Sequence, residues 1–110
     1  MKNVNTNGFN EHVLNSKGLV LLFLWAQWSS PCDAISESLQ QIEIKHPDIK
    51  FIKIDADRNK LLAAELNVRS IPTLIVFRNG VATSTQVGVV SKSKLEKWIE
   101  TILTTQERSH

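Results

Sequence analysis

The chain has 110 residues, 42% of them hydrophobic and 22% charged, which suits one compact domain burying roughly two thirds of its unfolded surface and excludes a two-domain enzyme. Thirteen Lys plus Arg oppose eleven Asp plus Glu for a formal net charge of +2, and the one local basic excess is Lys92, Lys94 and Lys97, so neither nucleic acid nor a membrane is implied as a partner. A single cysteine, Cys32, excludes an intrachain disulfide, and with it the stapled secreted scaffolds and any single-chain Cys-rich metal site.

The polar start MKNVNTNGFN has no apolar stretch followed by a cleavage site, and the longest apolar run, Leu19 to Ala26, is far short of a membrane span. The expected compartment is the cytoplasm. A short strand is predicted around Lys2 to Asn5. Thr6 or Asn7 can cap a brief helix in which Phe9 and Val13 lie one turn apart, and Gly18 can end the connection. GLVLLFLWA follows as a strand apolar on both faces, as a central strand covered on two sides requires. Pro31 fits the first turn of a helix whose Ile35, Leu39 and Ile42 form one stripe, and Pro47 follows its end.

Lys50 to Asp55 reads as a second long strand. Asp57 is expected to cap a helix through Leu61, Leu62 and Leu66, and Ile71-Pro72 introduces a strand from Thr73 to Phe77. Asn79-Gly80 signals a hairpin whose partner strand runs from Val81 to Val87. Ser91 can cap a last helix with Leu95, Trp98, Ile99 and Ile102 on one face, and residues 104–110 read as a flexible tail. The predicted class is α/β, a single domain over 1–110 with a mixed central sheet flanked by helices on both faces. Trp25 and Trp98 sit on apolar stripes and are expected in the core.

Trp28-Ser29-Ser30-Pro31-Cys32 lies where a buried strand ends and a helix begins, a place where backbone N–H groups and the helix dipole favour an anion such as a thiolate. WAQWSSPC resembles the W-A-x-W-C-G-P-C of the thioredoxin family. RSIPT resembles its cis-proline segment, and FRNG and VG follow at the usual spacing, so the likeness spans nearly the whole chain. The family's fold and its thiol-disulfide exchange chemistry are what this likeness implies.

That chemistry uses two thiols: the first attacks a substrate disulfide and the second resolves the mixed disulfide. Ser29 occupies the first position, and a serine hydroxyl stays un-ionised at neutral pH without a strong base beside it. His12 and His46 fall in or beside helices and His110 ends the tail, so none suggests a Ser-His pair. Cys32 matches the resolving cysteine, one helical turn inward from the exposed first position. Phe23 stands where the family has a buried aspartate that accepts the resolving thiol's proton. Lys53 matches the lysine that accompanies this aspartate, and would be left without that partner. By resemblance, Trp28, Ser30, Pro31, Ile71, cis-Pro72 and Gly88 form a groove for an extended polypeptide, with Ile71 offering main-chain hydrogen bonds.

The first reading is therefore a relative of protein thiol-disulfide oxidoreductases in which dithiol turnover is lost or strongly impaired and residual monothiol exchange stays open to Cys32, the bland counterpart being a small buried side chain that packs behind the turn. The alternatives are a non-redox adaptor or chaperone-like module binding extended polypeptides, and an engineered Cys-to-Ser variant of an active thioredoxin. Protein thiols or extended segments are the implied partners, with a reductase among them. The chain is expected to be monomeric, with a Cys32-linked dimer as the other form. Neither cofactor nor metal is implied.

Overall fold

The structure is a computed structural model, and it describes residues 1–108. Five strands, β1 (Lys2–Asn3), β2 (Leu19–Trp25), β3 (Lys50–Asp55), β4 (Thr73–Arg78) and β5 (Val81–Val87), form one sheet in the order β1-β3-β2-β4-β5. β1 and β2 pair parallel to β3, whereas β2–β4 and β4–β5 are antiparallel, so the sheet is mixed. The thioredoxin-type α/β arrangement expected from the sequence is the one adopted.

The period of two along β2 explains why its run is apolar throughout. Leu19, Leu21 and Phe23 join a core with Cys32, Ile35, Leu39 and Ile42 of α2 (Ser30–Lys45) and Leu95, Ile99 and Ile102 of α4 (Lys92–Arg108). Val20, Leu22 and Leu24 face the opposite core, which takes Phe9 of α1 (Thr6–Phe9) and Leu62 and Ala63 of α3 (Lys60–Glu65). Phe9 meets Phe77 edge-on at 6.0 Å, closing that second layer over β4.

Several local expectations change. Asn5, not Thr6 or Asn7, caps α1, its side chain accepting from the Gly8 N–H. The helix then continues as a π-helical turn over Asn10–Leu14, which carries Val13 into the core. Asp57 is no cap either. The buried Asp55 carboxylate accepts from the Asp57 and Arg58 N–H groups at 2.9 and 3.2 Å, so the chain turns directly out of β3 and α3 starts later. Asn59 precedes that helix but spends its side chain on Thr6 and on the Asp55 carbonyl. Leu61 therefore faces solvent, 82% exposed.

At the other end of the sheet, Asn79 and Gly80 both adopt positive φ, the conformation a two-residue hairpin turn needs. Asn79 also exchanges hydrogen bonds with Gly18, which anchors the hairpin to the start of β2. The last helix continues through Thr104 to Arg108 and takes in most of the segment expected as a tail; residues 109 and 110, with His110, lie outside the described residues. None of the described helices is long and apolar enough to cross a membrane.

Candidate functional site

The site is set by β2, the central strand, which delivers the chain to the edge of the sheet at Trp25. From there the backbone must reverse into α2. The Ser29 N–H donates to the Ala26 carbonyl at 3.2 Å, closing a tight turn, and the Cys32 N–H donates to the Ser29 carbonyl at 3.1 Å, opening the helix. Ser29 occupies the N-cap position with extended backbone, yet its hydroxyl makes no capping bond. Pro31 sits in the first turn, where a missing N–H has no consequence.

Exposure within this turn departs from the expectation. The Ala26–Ser29 turn folds Ser29 inward to 4% exposure, while Trp28 stands out at 68% and Ser30 and Pro31 are also exposed. The first position is thus the buried one among its neighbours. Cys32, at 3%, belongs to the core cluster of Phe23, Ile35 and Leu74. Both the only thiol and the hydroxyl that stands before it are shielded from large reactants.

The second wall of the site comes from the α3–β4 connection. The Ile71–Pro72 peptide is cis, and the Pro72 carbonyl accepts from the Gly88 N–H at 2.9 Å. Gly88 holds φ +88°, a conformation side chains resist, which fits a place where another backbone approaches. Ile71 is half-buried and packs on both cores; its own N–H and carbonyl have no backbone partner among the described residues. Val87 and Val89, exposed at 56% and 61%, flank Gly88 and add an apolar rim that sequence reading passed over. Their alternation around a glycine was the available signal.

Among the described residues no carboxylate forms an ion pair with Lys53. It lies opposite Phe23 in the β2–β3 register, and its ammonium stands 5.4 Å from the centre of the Trp25 ring. An aromatic face thus takes up the charge that no carboxylate meets. Trp25 is half-buried and packs against the core cluster of Phe23 and Cys32, with a buried indole N–H that has no hydrogen-bond partner. Trp98 is also half-buried and donates to the Ser84 hydroxyl at 3.0 Å. No three His, Cys, Asp or Glu side chains converge as a metal site among the described residues.

The arrangement can present an extended polypeptide with an aromatic anchor at Trp28, unpaired main-chain groups at Ile71 and an open backbone at Gly88. It cannot deliver two sulfur atoms. A family model described as Thioredoxin matches residues 1–101. Among curated relatives, a thioredoxin of Porphyra purpurea is 42% identical over 89 residues, covering 80% of this chain and 83% of its own. A thioredoxin of Griffithsia pacifica is 40% identical over 88 residues, 79% of this chain and 81% of that protein. One of Rhodospirillum rubrum is 34% identical over 101 residues, 91% of this chain and 97% of its own.

Proposed function

Because the chain belongs to the thioredoxin family, we propose that it keeps the family's capture of extended polypeptides and has lost two-thiol turnover. Disulfide reduction by the family's route needs a thiolate to attack one sulfur of the substrate, expelling the other as a thiolate. A second thiolate then breaks the mixed disulfide, so that the substrate leaves with two thiols and the protein keeps a disulfide. With Ser29 in the first position and one cysteine in the whole chain, neither the attack at that position nor the final protein disulfide is available. Cys32 alone would form a mixed disulfide that only an external thiol could release. A disulfide reductase has no intrachain disulfide to act on here.

The observation that carries this reading is that the chain's one thiol, Cys32, stands at the inward position and is 3% exposed behind a turn whose exposed members are Trp28, Ser30 and Pro31, while the first position holds a serine. A nucleophile of a redox protein stands in an accessible microenvironment. Monothiol exchange, or a dimer linked through Cys32, requires that turn to open first. Capture requires nothing to move: Trp28 is already exposed, and Ile71 can pair its main chain with an added strand.

The test has two arms. In a reductive insulin-precipitation assay with dithiothreitol, the protein should add nothing measurable to the uncatalysed rate; catalysis that disappears in Cys32→Ala would overturn the reading. In pull-downs of reduced, unfolded polypeptide, Trp28→Ala should recover several-fold less than the parent chain at unchanged thermal stability, because an exposed aromatic anchor contributes about 2 kcal/mol or more to binding and little to the core. Equal recovery would remove the groove from the account.

A further inference from the structure

The end of β2, the start of β4 and the end of β5 meet at one edge of the sheet, where Leu24 lies opposite Thr73 and Thr73 opposite Val87. The connection into β4 and the one from β5 into α4 therefore stand side by side, joined by the Gly88–Pro72 hydrogen bond. Both carry bases and no acid: between Glu65 and Glu96 the chain has no Asp or Glu, and Arg69, Lys92 and Lys94 fall in these two segments or at the helix start. Arg69 and Lys94 are exposed, Lys92 is half-buried, and none of the three enters an ion pair among the described residues. Glu96, one turn along from Lys92, is taken by Lys45 of α2 at 3.3 Å.

The start of α4 adds to this charge. Ser91 caps it, its hydroxyl accepting from the Lys94 N–H at 3.2 Å, and the first turn holds no acidic residue. A helix N-terminus carries about half a positive elementary charge and favours acidic side chains, the reverse of what Lys92 and Lys94 supply. An anion brought to this end from outside therefore gains from both lysines and from the dipole. Across the groove α2 also begins, with the Ser29 hydroxyl unbonded at its N-cap and Asp33 as the acid of its first turn, so the positive charge is concentrated on the Gly88 side.

We infer that the polypeptide captured here is acidic, an extended segment in which an apolar residue meets Trp28 and Asp or Glu side chains lie over the start of α4. This rests on the groove reading above and names what the groove selects. Main-chain pairing at Ile71 and the apolar rim of Val87 and Val89 suit an extended peptide rather than a nucleic acid, for which a net charge of +2 over the chain is also slight. Exposed ion pairs each contribute little and are screened by salt, so the result is a salt-dependent preference among segments that the groove would otherwise hold alike.

The test compares two fluorescein-labelled peptides that share a Val-Ile-Val segment, flanked on both sides by glutamates in one and by lysines in the other. Fluorescence anisotropy at low salt should show the glutamate peptide bound about tenfold more tightly, the sum of a few exposed attractions gained and as many repulsions avoided. Lys92→Glu/Lys94→Glu should bring the two affinities within about twofold or invert them without lowering the melting temperature, since glutamates suit a helix start. About 0.5 M NaCl should remove most of the preference. Trp28→Ala should weaken both peptides alike. Equal affinities that both fall in Trp28→Ala would overturn the acidic preference and leave the groove reading standing, whereas no binding of either peptide would remove both. A preference that survives Lys92→Glu/Lys94→Glu, or a glutamate peptide indifferent to Trp28→Ala, would put the acid-binding surface elsewhere and overturn the inference. So would tighter binding of an oligothymidylate than of the glutamate peptide.

Discussion

Replacing Phe23 with Asp separates the two departures from the family pattern, because it restores the missing proton acceptor without restoring the missing thiol. Phe23 is 1% exposed in the cluster that holds Cys32. Deleting a buried aromatic ring costs about 3–5 kcal/mol, and a desolvated carboxylate in its place adds several kcal/mol while it stays ionised. That sum rivals the ~5–15 kcal/mol that holds a domain of this size together. Lys53 lies opposite in the register and can leave the Trp25 ring to pair with the new carboxylate, offsetting part of the loss. Burial raises the folded-state pKa of such a carboxyl above its unfolded value of about 3.9, so over that interval the unfolded chain binds fewer protons and stability falls as pH rises. Urea denaturation should show Phe23→Asp about 4–6 kcal/mol less stable than the parent at neutral pH, with the gap narrowing near pH 4. A gap under about 1 kcal/mol, or one independent of pH, would refute the buried-carboxylate reasoning. The kinetic arm uses Ser29→Cys, which places two cysteines one helical turn apart and should oxidise readily yet turn over slowly. Adding Phe23→Asp should raise its disulfide-reduction rate by about 10²-fold, the usual contribution of a positioned proton acceptor, measured where both variants are folded. Equal rates would mean that Ser29 alone accounts for the lost chemistry.

Iodoacetamide should label Cys32 in the folded chain about a hundredfold more slowly than in urea, since the thiol becomes reachable only on local opening; comparable rates, read by mass spectrometry, would restore monothiol exchange to the account. Gly80→Ala should lower stability by about 1–3 kcal/mol in chemical denaturation, because the residue holds φ +83° and an added Cβ would collide with the Leu14 carbonyl oxygen. Lys53→Met should cost only about 0.5–1 kcal/mol through the lost cation–π contact, and a change of 3 kcal/mol or more would show that the ammonium has a further buried role.

Much of the fold was written in periodicity. The two-sided apolar run of β2, the Ile35–Leu39–Ile42 stripe and the Asn79-Gly80 turn each follow from the repeat of strand or helix and from the φ a turn demands, so they could be read without neighbours. The missing first thiol was equally legible, because residue identity at one position decides whether sulfur chemistry exists there. Caps were less so. Asp57 looked like a helix start, but the decision belonged to Asp55, whose buried carboxylate had to be satisfied by the nearest amides and thereby delayed α3 until Lys60. The exposure of the turn between Trp25 and Cys32 lay outside local rules altogether. Whether Ser29 or Trp28 faces water depends on how the Ala26 carbonyl closes the turn, and the partner of Lys53 depends on the β2–β3 register that sets it beside Trp25. Arg69 and Lys92 lie far apart in the chain, and their segments stand side by side only because Thr73 pairs with Val87 in one sheet. Sequence spacing fixes which residues share an element's face; only strand order and register decide which elements' ends meet, and that choice is made by burying both faces of β2 at once.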